Sequence, residues 1–344
     1  MPKFRLNLLL TFDYELPLGG VKNSYDDALF APTEQLLNLA QPLQIPLVFF
    51  VDILSYVKFA EWQEESFCKP FQAQIHKILQ QGHEVQLHIH PHWLDSTFQN
   101  GSFAPSSKYS LGDFEDVEIE QIIIQSVQQL HALCQEIKPD YQCSAFRAGG
   151  YSLNRKANVI LPALYKNGIR YDSSICKSYF SASSIFKIDF RKTPKKANWF
   201  LAVDGDFSKE GETGILEIPI AGKPKSFFEM PTSFKLKKYA ERAANRGATL
   251  YTNSSENIVD KLNNLLSARM LTVDNYTYNL DELMRILDYN LKMFATEKEI
   301  SLALIAHPKS MGDYAFSLLK DFVTTVREKY GDAICFNNFT GIKQ

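Results

Sequence analysis

The sequence lacks several features that define common classes of protein. It has only 5 cysteines in 344 residues, and no two of them have the Cys-x-x-Cys spacing of a structural zinc site. No apolar run approaches the roughly 20 residues of a membrane-spanning helix. The 37 basic and 39 acidic residues leave a net charge of −2, which does not attract nucleic acid or an anionic membrane. We therefore expect a globular protein with reduced thiols, no transmembrane segment and no nucleic-acid partner.

The amino-terminal residues have a superficial likeness to a secretory signal. Lys3 and Arg5 precede a short apolar run at residues 6–10. That run soon meets Asp13 and Glu15 and lacks a small-residue cleavage site, so it differs from a secretory signal. We interpret the run as a buried strand and expect a cytoplasmic protein.

Short apolar, β-rich runs alternate with longer segments of helical period. This alternation predicts an α/β protein with a parallel sheet, either closed into a barrel or open and doubly wound. We predict a single domain over residues 1–344, with a surface loop at 98–116 and an insertion at 222–274. The predicted strands are 6–12, 46–52, 84–88, 144–147, 215–218 and 302–306; the predicted helices are 33–41, 71–81, 117–137, 156–167, 280–294 and 314–329.

Polar residues stand at or just after the ends of five predicted strands. They are Asp13, Asp52, His88, Arg147 and His307. In parallel α/β folds the carboxyl ends of the strands meet on one side of the sheet, and active sites form there. The sequence therefore predicts that these five side chains converge on one site.

Four of the 7 histidines lie close together: His83, His88, His90 and His92. Imidazole is the commonest protein ligand for zinc, and a hydrolytic metal site needs about three protein ligands and an open position. Pro91 disfavours helical geometry at His90, so this is not a helical His-Glu-x-x-His site. We interpret the cluster as a metal site on a strand that ends at Pro91, with His83 as a structural residue.

Asp13 and Glu15 are two positions apart on the first predicted strand, so both side chains can point into one pocket. Two neighbouring carboxylates repel each other unless a positive charge lies between them. A metal ion supplies that charge; one carboxylate can then bind the metal while the other acts as a base. Arg147, followed by Gly149 and Gly150, can orient a carboxylate through a bidentate pair.

These motifs, in this order, resemble the polysaccharide deacetylases, the NodB-homology group of carbohydrate esterase family 4. The family motifs are Thr-Phe-Asp-Asp, then Gly-His-Glu followed by His-x-x-x-His, then Phe-Arg-x-Pro with an aromatic residue, and an apolar run that ends in His. Their counterparts here are Thr11 to Tyr14, Gly82 to Glu84, His88 to His92, Phe146-Arg147 with Tyr151, and Leu304 to His307.

The resemblance implies a distorted (β/α)7-type barrel and a divalent metal, most simply zinc, with cobalt, nickel or manganese as alternatives. Because Tyr14 replaces the family's metal-binding aspartate, Glu15 is the expected substitute. The implied metal ligands are Glu15, His88 and His92; the implied catalytic residues are the base Asp13, the acid His307 and the orienting Arg147; and the implied substrate-binding residues are Tyr151, His90 and Trp93.

The implied activity is hydrolysis of an N-acetyl or O-acetyl group on a saccharide or sugar-containing precursor, for example in the synthesis of a surface polysaccharide. Two alternatives remain open. The altered position at Tyr14 would suit a carbohydrate-binding relative without catalysis, and the same fold could hydrolyse a small amide or cyclic imide. Which saccharide is bound and the oligomeric state are left open by the sequence.

Overall fold

A computed structural model describes residues 4–18, 20–21, 23–99, 101–183, 187–225 and 257–342. The strands are β1 (Arg5–Tyr14), β2 (Val48–Asp52), β3 (Glu84–Ile89), β4 (Thr97–Gln99), β5 (Ser102–Ala104), β6 (Ala145–Ala148), β7 (Tyr171–Asp172), β8 (Phe180–Ala182), β9 (Lys187–Asp189), β10 (Trp199–Leu201), β11 (Glu210–Gly211), β12 (Leu216–Glu217), β13 (Gly222–Pro224), β14 (Ala268–Met270), β15 (Glu299–Ala306) and β16 (Ile334–Asn337).

The α-helices of the described ranges flank these strands and mostly follow them in the chain. They are α1 (Ala31–Leu43), α2 (Ile53–Glu61), α3 (Glu65–Gln80), α4 (Asp116–Gln135), α5 (Ala157–Lys166), α6 (Ile258–Leu266), α7 (Leu280–Met293) and α8 (Asp313–Tyr330). None of them combines the length and apolarity needed to cross a bilayer.

The central sheet has the strand order β11-β10-β12-β7-β6-β3-β2-β1-β15, and β16 pairs with β1. The pairs from β12 through β7, β6, β3, β2 and β1 to β15 are all parallel. The predicted α/β class with a parallel sheet is therefore confirmed. The register sets His88 beside Asp52 on one side and Arg147 on the other, which is the alignment that a shared site requires.

The chain that continues from β12 also reaches the opposite end of the sheet. A parallel bridge joins Ile220 to Ala303 of β15. The N–H of Ala221 donates to the Ala303 carbonyl at 2.9 Å, and the N–H of Ala303 donates to the Pro219 carbonyl at 2.9 Å. These bonds join the segment after β12 to β15, which lies at the far end of the strand order; the closed barrel stays a prediction.

Strand β1 shows why the central strands form where they do. Its sequence is apolar on both faces, and every residue after Arg5 is buried, as is typical of a parallel strand covered by helices. Helix α4 covers the sheet with one apolar face, which buries Ile119, Ile123 and Leu130. The core therefore lies on both faces of the sheet, and side chains can enter the site only at the strand ends.

The amino ends of the strands are closed by the carboxyl-terminal part of the chain. Phe339 is 1% exposed, and its ring centroid lies 5.7 Å from that of Phe50 and 5.4 Å from that of Tyr171. The Glu84 carboxylate accepts the backbone N–H groups of Phe339 at 2.9 Å and Thr340 at 3.0 Å. This end of the sheet is thus filled with apolar rings and held by one capping carboxylate.

The six predicted strands and six predicted helices all correspond to observed elements, with ends shifted by a few residues. Helix α2 was not predicted, and the predicted loop at 98–116 contains the β4–β5 hairpin. Residues 226–256 of the predicted insertion lie outside the described residues. Its described parts form β13, β14 and α6, and the division of the chain into one domain with an insertion stays a prediction.

Candidate metal and catalytic centre

Five strands deliver polar side chains to one end of the sheet, where each strand ends. Asp13, Asp52, His88 and Arg147 lie on β1, β2, β3 and β6, and His307 follows β15 directly. The first four are at most 2% exposed. The structure therefore brings together the five strand-end residues that the sequence singles out, and it gives them little contact with solvent.

The alternation of β1 separates Tyr14 from its two acidic neighbours. The Tyr14 hydroxyl donates to Gln74 Oε1 of α3 at 2.9 Å, and its ring packs edge-on against Phe71. Because successive side chains on a strand point to opposite faces, Asp13 and Glu15 both point into the site. Tyr14 is therefore a core residue, and it leaves the carboxylate role to Glu15.

Arg147 holds Asp13 through a fully buried ion pair. Arg147 Nη1 donates to Asp13 Oδ1 at 2.6 Å, and Nη2 donates to Thr11 Oγ1 at 2.8 Å. The guanidinium also lies 4.2 Å from the centre of the Phe50 ring. Burial alone raises the pKa of Asp13, but the charges of Arg147 and His88 outweigh it and hold the pKa below its usual value. Asp13 is thus an anion with one oxygen occupied, and Oδ2 faces the site.

Glu15 lies at the centre of the cluster and contacts four of its basic side chains. Its Oε2 lies 3.3 Å from His88 Nε2 and contacts His90 Nε2 directly. Its Oε1 accepts from Lys309 Nζ at 2.8 Å and lies 3.5 Å from His307 Nε2. Burial alone raises the pKa of Glu15, but Lys309 and His90 hold it well below its usual value. The Glu15 carboxylate is therefore ionised, and its two oxygens contact several basic side chains at once.

The ring orientation of His88 is set by the backbone. Its Nδ1 lies 2.8 Å from the carbonyl oxygen of Arg147, and a carbonyl can only accept, so Nδ1 carries the proton. Burial lowers the pKa of His88, but Asp13 and Glu15 raise it to about 9. When the ring is neutral, Nε2 has its lone pair directed at Glu15. A carbonyl partner on the far nitrogen is the usual outer support of a metal-binding histidine.

Potential metal ligands form two groups within the described ranges. Glu15, His88 and His90 make one group, and Asp13, Glu15 and His307 make the other; in each, the ligand atoms lie within 4.8 Å of one another. Two imidazoles and one carboxylate match the donor set of hydrolytic zinc sites. The residues present therefore fit the divalent metal that the sequence motifs imply, with Glu15 common to both groups.

The third histidine of the cluster has different surroundings. His92 is 0% exposed, and neither ring nitrogen has a hydrogen-bond partner among the described residues. Its ring centroid lies 5.3 Å from that of His90. Burial, with the nearby His90, lowers the pKa of His92 to about 2, so the ring is neutral. His92, the expected ligand, is in neither group of potential ligands, whereas His90, expected to contact substrate, is in the first.

Asp52 and Trp93 form a buried support beneath the histidines. Asp52 Oδ2 accepts the Trp93 indole N–H at 2.6 Å, and Oδ1 accepts the backbone N–H of His90 at 3.2 Å. Burial raises the pKa of Asp52 to about 6. Trp93 is 1% exposed and packs on Phe103. This placement offers no ring face to a sugar, so the geometry gives the expected substrate contact of Trp93 no support.

His307 and Tyr151 lie on the solvent side of the centre. The His307 side chain is 22% exposed, and its Nε2 lies 3.5 Å from Asp13 Oδ2. Burial lowers the pKa of His307. Tyr151 has a positive φ of 59° and packs edge-on against Tyr179. Both side chains are therefore placed where a substrate could reach them.

Lys309 is the member of the centre that the sequence did not predict. It follows His307 and Pro308 in a short 3-10 turn, and this turn aims its ammonium at Glu15 and the Leu16 carbonyl. The sequence signal that could have identified Lys309 is its position two residues after His307, a histidine at a strand end. Exposed lysines are so common that this signal has little weight without the fold.

Comparison with solved structures gives likenesses over nearly the whole chain at low identity. One is a polysaccharide deacetylase of Mycobacterium smegmatis, with 14% identity, a TM-score of 0.49, and coverage of 98% of this chain and 88% of that one. A second is Puue allantoinase, with 11% identity, a TM-score of 0.47 and coverage of 98% and 89%. A third is a family 4 carbohydrate esterase of Streptomyces lividans, with 9% identity, a TM-score of 0.41 and coverage of 96% and 92%.

No protein-family model matches the sequence, and no curated protein matches it.

Proposed function

We propose that this chain is a metal-dependent deacetylase that hydrolyses an acetyl group on a saccharide, in the manner of carbohydrate esterase family 4. One observation carries the proposal. The buried Glu15 carboxylate lies between His88 and His90, next to an Asp13 that Arg147 holds through one oxygen. A candidate metal site with an anchored base beside it is the arrangement that metal-assisted amide hydrolysis requires.

Glu15, His88 and His90 are our proposed metal ligands. The short distances around Glu15 and the carbonyl that orients His88 support them. A nitrogen-rich set with one carboxylate suits zinc, and cobalt, nickel and manganese are the alternatives. The ligand role predicted for His92 passes to His90 in this proposal, because His90 contacts Glu15.

A divalent cation in this position acts as a Lewis acid, which polarises a carbonyl group and makes water more acidic. Asp13 takes up the proton of the attacking water at Oδ2, since Oδ1 is occupied by Arg147. The low pKa of Asp13 keeps it ionised and ready to accept. Arg147 fixes the carboxylate and thereby directs Oδ2 to the reacting water.

The proton that Asp13 takes up passes to His307, whose Nε2 lies 3.5 Å from Asp13 Oδ2. His307 gives it to the nitrogen of the sugar as the carbon–nitrogen bond breaks, so that the products are acetic acid, which ionises to acetate, and a free amine. The His307 side chain is partly open to solvent, so a substrate can reach it from the solvent side. The Tyr151 side chain would contact the saccharide. We further propose that this saccharide is a precursor of a surface polysaccharide, on the sequence resemblance alone.

The activity test measures acetate released from N-acetylglucosamine oligomers by the full chain, first stripped with a chelator and then supplied with zinc, cobalt, nickel or manganese. We expect activity only after metal is added. Release of acetate by the metal-free protein at the same rate would reject metal dependence. No release with any of the four metals, on N-acetylated or O-acetylated saccharides, would reject the deacetylase function.

The ligand test compares His90→Gln with His92→Gln by calorimetric titration of zinc into the metal-free protein. We expect His90→Gln to weaken zinc binding at least about tenfold, as loss of a direct ligand should exceed loss of an outer contact. His92→Gln is the matched control, two residues away in the same cluster. The reverse ranking would restore His92 as the ligand.

One observation favours a second candidate, a saccharide-binding protein without catalysis. Lys309 already neutralises Glu15 at 2.8 Å, so the buried carboxylate is compensated without a metal. In that case the full chain would bind N-acetylglucosamine oligomers in calorimetry but take up no zinc.

A further inference from the structure

A second pair of buried acids lies behind the centre. Asp172 of β7 and Glu217 of β12 are register partners on adjacent parallel strands, and both are 0% exposed. Because side chains alternate along a strand, this pair lies on the face of the sheet opposite to the one where Ser173 meets Arg147. Nothing in the proposed chemistry uses these two acids, although burying two carboxyl groups together is costly.

The hydrogen bonds show which member of the pair carries the charge. Asp172 Oδ1 accepts the backbone N–H of Ser174 at 2.9 Å, and Oδ2 accepts the Ser174 hydroxyl at 2.8 Å. Both oxygens of Asp172 are thus acceptors, as in a carboxylate. Burial raises the pKa of both acids; hydrogen bonds from Glu217 and Ser174 oppose the shift at Asp172, whereas the charge of Asp172 adds to it and raises the pKa of Glu217 well above its usual value. Glu217 is therefore the neutral acid beside the Asp172 anion.

Asp172 orients the turn that follows β7. With its hydrogen donated to Asp172, the Ser174 hydroxyl presents a lone pair to the backbone N–H of Ala148, which donates to it at 2.9 Å. Ala148 is the residue after Arg147. On the other side of the turn, Ile175 N–H donates to Glu217 Oε1 at 3.2 Å. The acid pair thus holds both ends of the Ser174 turn.

Ser173, in the same turn, holds the Arg147 side chain. Its carbonyl accepts from Arg147 Nε at 2.8 Å, and its hydroxyl accepts from Nη2 at 2.9 Å. The same hydroxyl donates to the Ile218 carbonyl at 2.8 Å, which fixes the direction of its lone pairs. Arg147 then donates from Nη1 to Asp13. A continuous series of bonds therefore runs from the acid pair to Asp13.

We propose that Asp172 and Glu217 are positioning residues, which set the Ser173–Ser174 turn so that Arg147 presents Asp13 to the substrate. This rests on the proposed function where it takes Asp13 as the base. Asp172 accepts hydrogen bonds as a charged carboxylate, whereas Glu217 is its neutral neighbour. Replacing Asp172 by its amide should therefore disturb the turn more than replacing Glu217 by its amide.

The test compares Asp172→Asn with Glu217→Gln in the full chain. An amide has only one acceptor oxygen, so Asp172→Asn disturbs the Ser174 turn, whereas glutamine keeps the shape of a neutral glutamic acid. With zinc added, we expect Asp172→Asn to lower kcat about tenfold to a hundredfold with little change in KM, the effect of a misplaced reacting group. We expect Glu217→Gln to stay within about threefold of the unmodified chain.

A second measurement does not depend on catalysis. In protein labelled with nitrogen-15 arginine, the Nε–H of Arg147, identified by its loss in Arg147→Lys, should exchange slowly because it is buried and bonded to Ser173. We expect Asp172→Asn to shift this signal and speed its exchange, and Glu217→Gln to leave it in place. Ser174→Ala, which removes only the hydroxyl link, should give a smaller shift and serves if Asp172→Asn fails to fold.

The positioning role is overturned if the Arg147 signal is the same in Asp172→Asn or Ser174→Ala as in the unmodified chain. It is also overturned if Glu217→Gln disturbs the signal as much as Asp172→Asn. A shifted signal in a protein without deacetylase activity would support the positioning role and reject the proposed function, so the two failures are distinguishable.

Discussion

The two ends of the parallel strands use buried charge in opposite ways. At the carboxyl ends, buried ionisable groups lie within 4 Å of one another, as Asp13, Glu15 and His88 do. The negative charges of the carboxylates there are offset by the neighbouring basic groups. At the amino ends, Phe339 fills the space between the strands, and Glu84 bonds to two backbone N–H groups. The first end concentrates groups that can exchange protons, whereas the second end stabilises the fold.

This comparison predicts that substitutions at the carboxyl ends change activity more than stability, and that substitutions at the amino ends do the reverse. The largest effect is expected for Asp13→Asn. Loss of a general base lowers kcat by roughly 10²–10⁴-fold, and stability also falls because Arg147 loses its anionic partner. The measurement is acetate release together with thermal unfolding, with the exposed Asp321→Asn as control. Unchanged activity in Asp13→Asn would end the assignment of the base.

Phe339→Ala tests the opposite end. Truncating a buried phenylalanine costs about 3–5 kcal/mol, and Phe339 contacts the rings of Phe50 and Tyr171. We expect the free energy of unfolding in urea to fall by that amount. Activity per folded molecule should stay within about twofold, since the ring lies away from the site. A large loss of kcat in the folded fraction would show that the two ends are coupled.

Glu84→Gln should have a smaller effect at the same end. The carboxylate accepts two backbone N–H groups, and an amide can replace only one acceptor oxygen. Hydrogen bonds to a charged group contribute about 1.5–3 kcal/mol, so we expect a loss of about 1–2 kcal/mol in urea unfolding. Glu120→Gln, on the exposed face of α4, is the matched control. An equal effect in both variants would refute the capping role.

The smallest effect is a pH dependence from His83. Burial lowers the pKa of His83 to about 4 from 6.5, and its Nδ1 accepts the Leu47 N–H at 3.3 Å. Between those values the unfolded chain binds a proton that the folded chain does not, so stability is lost as the pH falls from 6.5 to 4. Allowing for solvent screening, we expect about 1 kcal/mol. His83→Gln should reduce the difference between unfolding at pH 7 and pH 5; an unchanged difference would assign it to other groups.

Much of the architecture was predictable because it depends on local patterns. The apolar run of β1 and the three-and-four spacing in α4 identify a strand and a helix without tertiary information. The pairing of Asp13 with Glu15, and the exclusion of Tyr14, follow from the two-residue period of a strand. Helix α2 was missed because it starts directly after β2 with no turn residue between them.

The choice among the histidines was not predictable from spacing. His90 lies two residues and His92 four residues after His88, and either spacing suits a second ligand. Pro91 between them starts a 3-10 turn, and His92 is outside the group that Glu15 forms with His88 and His90. The roles of Lys309 and of the acid pair Asp172 and Glu217 were hidden for a related reason. Each depends on a partner from a distant part of the chain, such as Glu15, which is 294 residues from Lys309.

The sequence by itself determined six strands of the central sheet, which end of those strands carries polar residues, and that these residues include candidate metal ligands. Local periodicity and the shared direction of parallel strands are sufficient for that. Only the tertiary structure decided that Glu15 is the shared carboxylate, that His90 contacts it, and that Asp172 bonds to the turn behind Arg147. These choices depend on strand register and on turns that move a side chain by a few ångströms, and distances of that size decide ligation and proton transfer.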